Sequence, residues 1–461
     1  MFSHLKKALT LLLCLHAMNA NAENGPHFTP TPAPVLPTNF RFCVSTAAHQ
    51  VEGQNFNSDW WQWEQVPGHI KNGDTSLVAT DSWNHVAEDI ANMKSLDVDT
   101  YRFSIEWAKI ETAPGQFDEA ILDRYLSFID QLKAAGIEPM VTIYHFTLPL
   151  WVSSQGGWEW DGIADAFDVF VRHVAARMGT RVTLWITLNE PMSIITAGYM
   201  SNVFPPGKND IRGIGHPMAN MIRAHARAYH ALHEILDTDN FKVRVGLAHH
   251  LRIFDPKTSI NLIDRFIADK FDEIFNWSIP NALINGVFKF TMPFVASADY
   301  FIPEAIGTQD FFGINYYSRD MVSLDLRKNP PLIRSVKKGA PVSDLDWEIY
   351  PEGISRLIDG IHARNPRMPI WVTENGLADD SDEKRMPFIR AHLAEVAKEI
   401  NKGITIEGYC HWTLNDNFEW AEGYWPHFGF YALEKGTEKR IPRPSAQAFS
   451  DLIKATKAGN Q

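Results

Sequence analysis

A single α/β domain, a (β/α)8 barrel of the TIM type, is the fold this sequence predicts, and three observations predict it. Eight apolar segments of strand length recur along the 461 residues. Longer segments of helical period fill the intervals between them. Parallel strands buried on both faces read as continuous apolar runs, and each needs a crossover helix before its neighbour, so eight such units close most simply into one barrel. A doubly wound open sheet competes for the same alternation, but its glycine fingerprint is missing: Gly213-Ile214-Gly215 has no third glycine and follows no strand. The 45% hydrophobic and 12% aromatic content excludes a disordered chain and supplies a large core.

The first element stands outside the fold. Lys6 and Lys7 precede the apolar run "ALTLLLCLHAM", and Ala20-Asn21-Ala22 offers the small residues that a signal peptidase reads. Residues 1–22 are therefore expected to be a cleaved secretory leader, with an extension over 23–38 and one domain over 39–461. The leader's apolar run is too short to span a bilayer, and no later segment is apolar enough to do so. Leu13 before Cys14 is not the small residue that lipidation needs. The chain is expected to be exported, to a periplasm or to the exterior.

Strands are predicted at Arg41–Ser45, Thr100–Ile105, Pro139–His145, Leu184–Leu188, Val243–Ala248, Phe311–Tyr316, Ile370–Thr373 and Gly408–Leu414. Between the second and third, "DEAILDRYLSFIDQLKAAG" repeats Ile121, Leu122, Tyr125, Ile129 and Leu132 near the helical period and stops at Gly136. "DAFDVFVRHVAARMG" behaves in the same way. Long loops are expected at Gln50–Asp81, Gly198–Gly215 and Met321–Trp347, and in a barrel the loops at the C-terminal ends of the strands build the active site. No repeat, linker or internal domain boundary interrupts the pattern.

A net charge of −12 with no basic run argues against nucleic acid or an anionic membrane surface as partner. Fifteen tryptophans fill core and also offer faces suited to sugar rings. The strand tips carry the chemistry. "LWITLNEP" ends the fourth strand at Asn189 and Glu190, and "IWVTENG" ends the seventh at Glu374. One strand-end glutamate could merely cap the helix that follows. Two at matched tips across a barrel mouth are what glycoside hydrolysis needs, one as proton donor and one as nucleophile or base.

"TLNEP", "VTENG", "FFGINYY" and "WTLNDNFEWAEGY", in this order, resemble glycoside hydrolase family 1, the retaining β-glucosidase and β-galactosidase family, and the likeness runs from about Asn39 to Gln447. The resemblance implies Glu190 as acid/base and Glu374 as nucleophile, with carboxyl groups about 5 Å apart. It places Arg102 and Tyr317 beside the nucleophile and sets Asn189 against the hydroxyl next to the anomeric carbon. Gln50, His145, Asn315, Trp412, Glu419 and Trp420 fall on the sugar pocket, Trp347 on an aglycone platform, and Phe428 at the glycone end. It implies no cofactor and a small β-glycoside as the only partner, and leaves the oligomeric state open; no metal is expected either, since no H-x-H follows the first strand and there is no H-E-x-x-H among the 18 histidines.

Glu419 stands where enzymes acting on 6-phosphorylated sugars carry a smaller residue, so the resemblance implies a neutral sugar, most simply a β-D-glucoside. Glu190 is intact, as thioglucoside-specific members' acid/base is not. His49, Phe146, Glu106 and His427 depart from the usual tyrosine, tryptophan, serine and arginine, which bears on the choice among glucose, galactose and fucose. Transglycosylation by the same intermediate is the alternative. A sugar-binding pseudoenzyme fits less well, since both glutamates are present. Cys43 and Cys410 lie on the first and last strands, which are neighbours in a closed barrel; strand-neighbour geometry rarely suits a disulfide, so two reduced core cysteines are expected, although an oxidising exterior would permit a bond.

Overall fold

The computed structural model describes residues 34–292, 296–325, 327, 332–434 and 436–459; the expected leader, residues 1–22, lies outside them. Eight strands form the barrel: β1 (Arg41–Ser45), β2 (Thr100–Ser104), β3 (Glu138–Tyr144), β4 (Leu184–Asn189), β5 (Arg244–Pro256), β6 (Phe311–Leu324), β7 (Ile370–Asn375) and β8 (Ile406–Trp412). Every neighbouring pair is parallel, and β1 pairs with both β2 and β8, which closes the ring. The predicted barrel is the fold observed.

Crossover helices surround it: α1 (Val86–Ser95), α2 (Glu119–Ala134), α3 (Ile163–Met178), α4 (Gly215–Leu236), α5 (Leu262–Phe271), α6 (Glu352–Arg364), α7 (Arg385–Asn401) and, after β8, α8 (Pro444–Lys457). Local sequence explains where α2 begins and ends. The Asp118 carboxylate accepts the N–H groups of Ala120 and Ile121, satisfying donors that the first turn leaves free. Gly136, at φ 79°, takes the left-handed turn that follows. Between them Leu122, Tyr125, Leu126, Ile129 and Leu132 are buried. Inside the barrel, Cys43, Met140, Leu184, Ile186, Ala248, Phe311, Trp371 and Cys410 make a separate plug of core.

Two expectations need correction. Cys43 and Cys410 are joined by a disulfide. They stand directly opposite in the β1–β8 register with both side chains in the plug, and their Cα atoms are 4.1 Å apart. Facing positions on paired strands, with both side chains turned into the barrel, bring the two sulfurs together.

The second correction concerns length. β5 runs for 13 residues and β6 for 14, well past the six that were read for each. The expected loop from Met321 begins instead as strand, because β6 continues to Leu324 and pairs antiparallel with Leu332–Ser335. Charged residues disguise these extensions, but each charge meets an opposite one across the strands: Arg319 lies 3.1 Å from Asp255, and Arg252 lies 3.2 Å from Asp320. A two-stranded wall therefore rises from the barrel mouth on the β5–β6 side.

Candidate active site

β4 is buried along its whole length and delivers Asn189 and Glu190 to the mouth. Glu190 sits in the left-handed region, φ 44° and ψ 62°, where a non-glycine residue stores strain of about 1–3 kcal/mol. Its N–H bond to the Ala248 carbonyl, at 2.8 Å, holds it there. Pro191 opens the next helix at its first position, where the missing N–H has no intrahelical partner to lose. Beginning that helix, more than ending the strand, is the proline's place in the fold.

Across the mouth, Glu374 on β7 receives two donors. Arg102, buried on β2, gives one N–H to Glu374 Oε1 and another, at 2.6 Å, to Asn189 Oδ1. Tyr317 donates its hydroxyl to Glu374 Oε2 at 2.6 Å. Burial, then the charges of Glu374 and Glu190, hold the Tyr317 phenol well above its ordinary range, so it remains a donor. Asn315 completes the frame by donating to Asn189 Oδ1 at 3.0 Å and to Glu190 Oε1 at 2.8 Å.

The two glutamates live in different fields. Desolvation pushes Glu190 up to about 7, and the charge of Glu374 adds to it; the Ser193 and Asn315 donors pull the other way. Near neutrality Glu190 can therefore hold a proton, while Glu374 is paired with a guanidinium.

A second cluster lies toward β8, β1 and β3. Asn189 Oδ1 already accepts twice, so its Nδ2 is the donor that meets His145 Nε2 at 3.1 Å. His145, kept neutral by burial, then carries its proton on Nδ1, which has no partner. Gln50 donates to Glu419 at 3.3 Å and leaves its own Oε1 unpartnered. Desolvation and then the charge of Glu374 push Glu419 up to about 8, against hydrogen bonds from Trp412 and Gln50. The indoles of Trp412 and Trp420 each lie 6.0 Å from the His145 ring and nearly parallel to it. An unused buried donor and acceptor between indole faces is the complement of a hydroxyl-bearing ring.

Trp347 and Phe428 lie together on another side, 6.2 Å apart, and both pack against Tyr317. Of the departures noted in the sequence, His49 stacks on Trp420 at 5.6 Å, and Phe146 packs 5.0 Å from the same indole. Glu106 caps a short helix through the Ala108 N–H and accepts from Thr147. His427 bonds Asp416 at 2.9 Å.

Two functional neighbours escaped the sequence reading. The Ser193 hydroxyl donates to Glu190 Oε2 at 2.6 Å and lies 2.8 Å from His250 Nδ1. With its hydrogen given to Glu190, Ser193 Oγ accepts from a protonated His250 Nδ1. His250 falls two residues past the predicted end of the fifth strand at Ala248, whereas the place of Ser193, three residues beyond Glu190 in the first turn of the following helix, was the available signal.

A proton-holding carboxyl facing an arginine-bound carboxylate over a polar, indole-lined pocket, at the C-terminal mouth of a closed barrel, defines a glycoside hydrolase of the barrel type. Residues 33–458 match the model of glycosyl hydrolase family 1, and the chain belongs to that family. It is 34% identical to β-glucosidase A of Thermotoga maritima over 444 residues, 91% of this chain and 98% of that protein. It is 30% identical to the lactase/phlorizin hydrolase of Rattus norvegicus, over 91% of this chain and 24% of that longer protein. The solved family 1 β-glucosidase of T. maritima superposes with a TM-score of 0.83 at 32% identity, covering 92% of this chain and 99% of that one. The protein is thus a β-glucosidase-type O-glycoside hydrolase.

Proposed function

We propose that this chain is a secreted, retaining exo-β-glycosidase that cleaves small, non-phosphorylated β-glycosides, foremost β-D-glucosides, through a covalent glycosyl-enzyme intermediate. The observation that carries the reading is the contrast between Glu190, pushed up to about 7, and Glu374, paired with Arg102 and Tyr317. Glu374 attacks the anomeric carbon while Glu190 passes its proton to the departing oxygen. Glu190, now a carboxylate, takes a proton from water as that water releases the sugar from Glu374. Arg102 and Tyr317 position the nucleophile, and Asn189, oriented by Arg102 and Asn315, meets the hydroxyl beside the anomeric carbon.

Gln50, His145, Trp412, Glu419 and Trp420 supply the sugar pocket in this reading, with Phe428 closing its glycone end and Trp347 as the aglycone platform. The preference for glucose draws on the names of the relatives, β-glucosidases among them, one solved with glucoimidazole bound. Export draws on the leader at residues 1–22 and on the Cys43–Cys410 bond, which persists in an oxidising compartment. Transfer to an acceptor alcohol instead of water would use the same residues.

The test is nitrophenol release from β-glucoside, β-galactoside and β-fucoside by the wild type and by Glu374→Gly, with and without azide. Wild-type turnover, its loss in the variant and azide rescue to an α-glycosyl azide are expected. A well-folded wild type that turns over none of the three would overturn the proposal.

A further inference from the structure

Past Glu190, the β5–β6 wall carries charge that the reaction does not use. His250 Nδ1 lies 3.4 Å from Glu190 Oε2, and Arg252 follows two residues on, on the same face of β5. Arg252 is only 7% exposed, and its backbone is pinned by Asn276, which bonds both its N–H and its carbonyl. Asp320, five residues beyond Asn315 on β6, faces it. Arg334, from the Leu332–Ser335 strand, reaches the same carboxylate.

Both arginines lean on one oxygen. Arg252 Nε lies 3.2 Å from Asp320 Oδ2, without hydrogen-bond alignment, and Arg334 donates to that oxygen at 2.6 Å. Asp255 and Glu348 cannot supply a missing anion, because Arg319 and Arg356 already share them. Two guanidinium groups thus face one carboxylate. Arg252 Nε and Arg334 Nε are buried donors without hydrogen-bond partners and call for an acceptor, while His250 Nε2, also buried and unpartnered, is a bare acceptor because the proton sits on Nδ1. The three side chains form one group, since both arginine charges bear on His250 and the charge of Glu190 bears on Arg252.

Position says which part of a substrate would meet them. The sugar-pocket residues belong to the β8, β1 and β3 side, whereas this wall continues outward from Glu190, the group that protonates the leaving oxygen. We infer that Arg252 and Arg334 form an aglycone subsite for a carboxylate-bearing leaving group, with Trp347 offering its partly buried face to the aromatic ring that carries the carboxylate. The inference rests on the function proposed above, with Glu190 as acid/base. An arginine fork takes a carboxylate through paired N–H donors, and Asp320 keeps the two cations together when no ligand is present.

The experiment compares 4-carboxyphenyl β-glucoside with 4-carbamoylphenyl β-glucoside, whose ring carries a neutral group of similar size. The ratio of their kcat/KM values, taken on one preparation, is independent of the fraction of active enzyme. A charge-assisted contact predicts a ratio of about ten or more in favour of the carboxylate. In Arg334→Gln and, separately, Arg252→Gln the ratio should fall toward one, and added salt should lower it in the wild type. Arg334 lies at the rim, so its variant serves even if the buried Arg252 substitution impairs folding. Wild-type turnover of both glycosides with a ratio at or below one, or a ratio unchanged by Arg334→Gln, overturns this subsite and leaves the glycosidase reading intact. Failure to turn over these and 4-nitrophenyl β-glucoside alike overturns both.

Discussion

Glu190 must give a proton in one step and take one in the next, and its surroundings pull both ways. Burial and the neighbouring Glu374 charge keep the proton on; the Ser193 hydroxyl favours the anion. If Glu190 is the acid, kcat/KM should fall as pH rises through about 7, because the carboxylate form cannot protonate the leaving group. Ser193→Ala removes a donor to that carboxylate, so the basic limb should move up by roughly half a pH unit or more. Ser193→Thr restores a hydroxyl and should bring the limb back. A limb that stays in place in the alanine variant would show that Ser193 does not tune the acid. The two glutamates were legible because each directly follows or ends an apolar run. Ser193 and His250 were not, since 57 residues separate them and only the closed barrel brings β5 beside the helix after β4.

The β1–β8 seam and the β5–β6 wall mark where strand reading succeeds and where it stops. All eight barrel strands were visible as apolar runs because both faces of each are buried, one against the plug and one against the helices. The strand extensions were hidden because an Arg or Asp in a strand resembles a loop residue until its cross-strand partner is known. The seam raises its own prediction. Its disulfide links residues 367 apart, so it restricts nearly the whole unfolded chain. Replacing both cysteines by alanine should cost about 2–5 kcal/mol and lower the urea midpoint, with the barrel still formed. Thiol titration of the unfolded, unreduced protein should find neither cysteine free. Two titrating thiols, or a double variant as stable as the wild type, would remove the seam bond from the account of stability.

Across the entire chain, buried titratable groups set how stability follows pH. Desolvation is the first cause for each of four acids: Asp59 and Glu419 are pushed up to about 8, Glu106 and Glu190 to about 7. Each binds its proton more tightly folded than unfolded, so its contribution is complete below about pH 4 and is lost as pH rises through the folded value. Seven buried histidines act in the opposite sense. His49 and His249 are lowered to about 3, His225 and His392 to about 4, and His145, His250 and His411 are held well below their ordinary value, again chiefly by desolvation. Below about 6.5 the unfolded chain binds protons that these folded imidazoles refuse, so they make stability rise with pH up to that point and add nothing beyond it. His233 and His427, raised by the hydrogen bonds they donate to Asp310 and Asp416, lose stabilisation above 6.5 and steepen the fall there. The opposing slopes meet near pH 6.5, and only the downward one continues toward pH 8. Urea midpoints measured at half-unit intervals from pH 5 to 9 should therefore peak near 6.5 and decline by pH 8. Glu106→Gln, which removes one of the four acids without touching either catalytic glutamate, should flatten that decline. A midpoint that climbed from pH 6.5 to 8 would mean that these carboxyl groups enter the folded core already ionised.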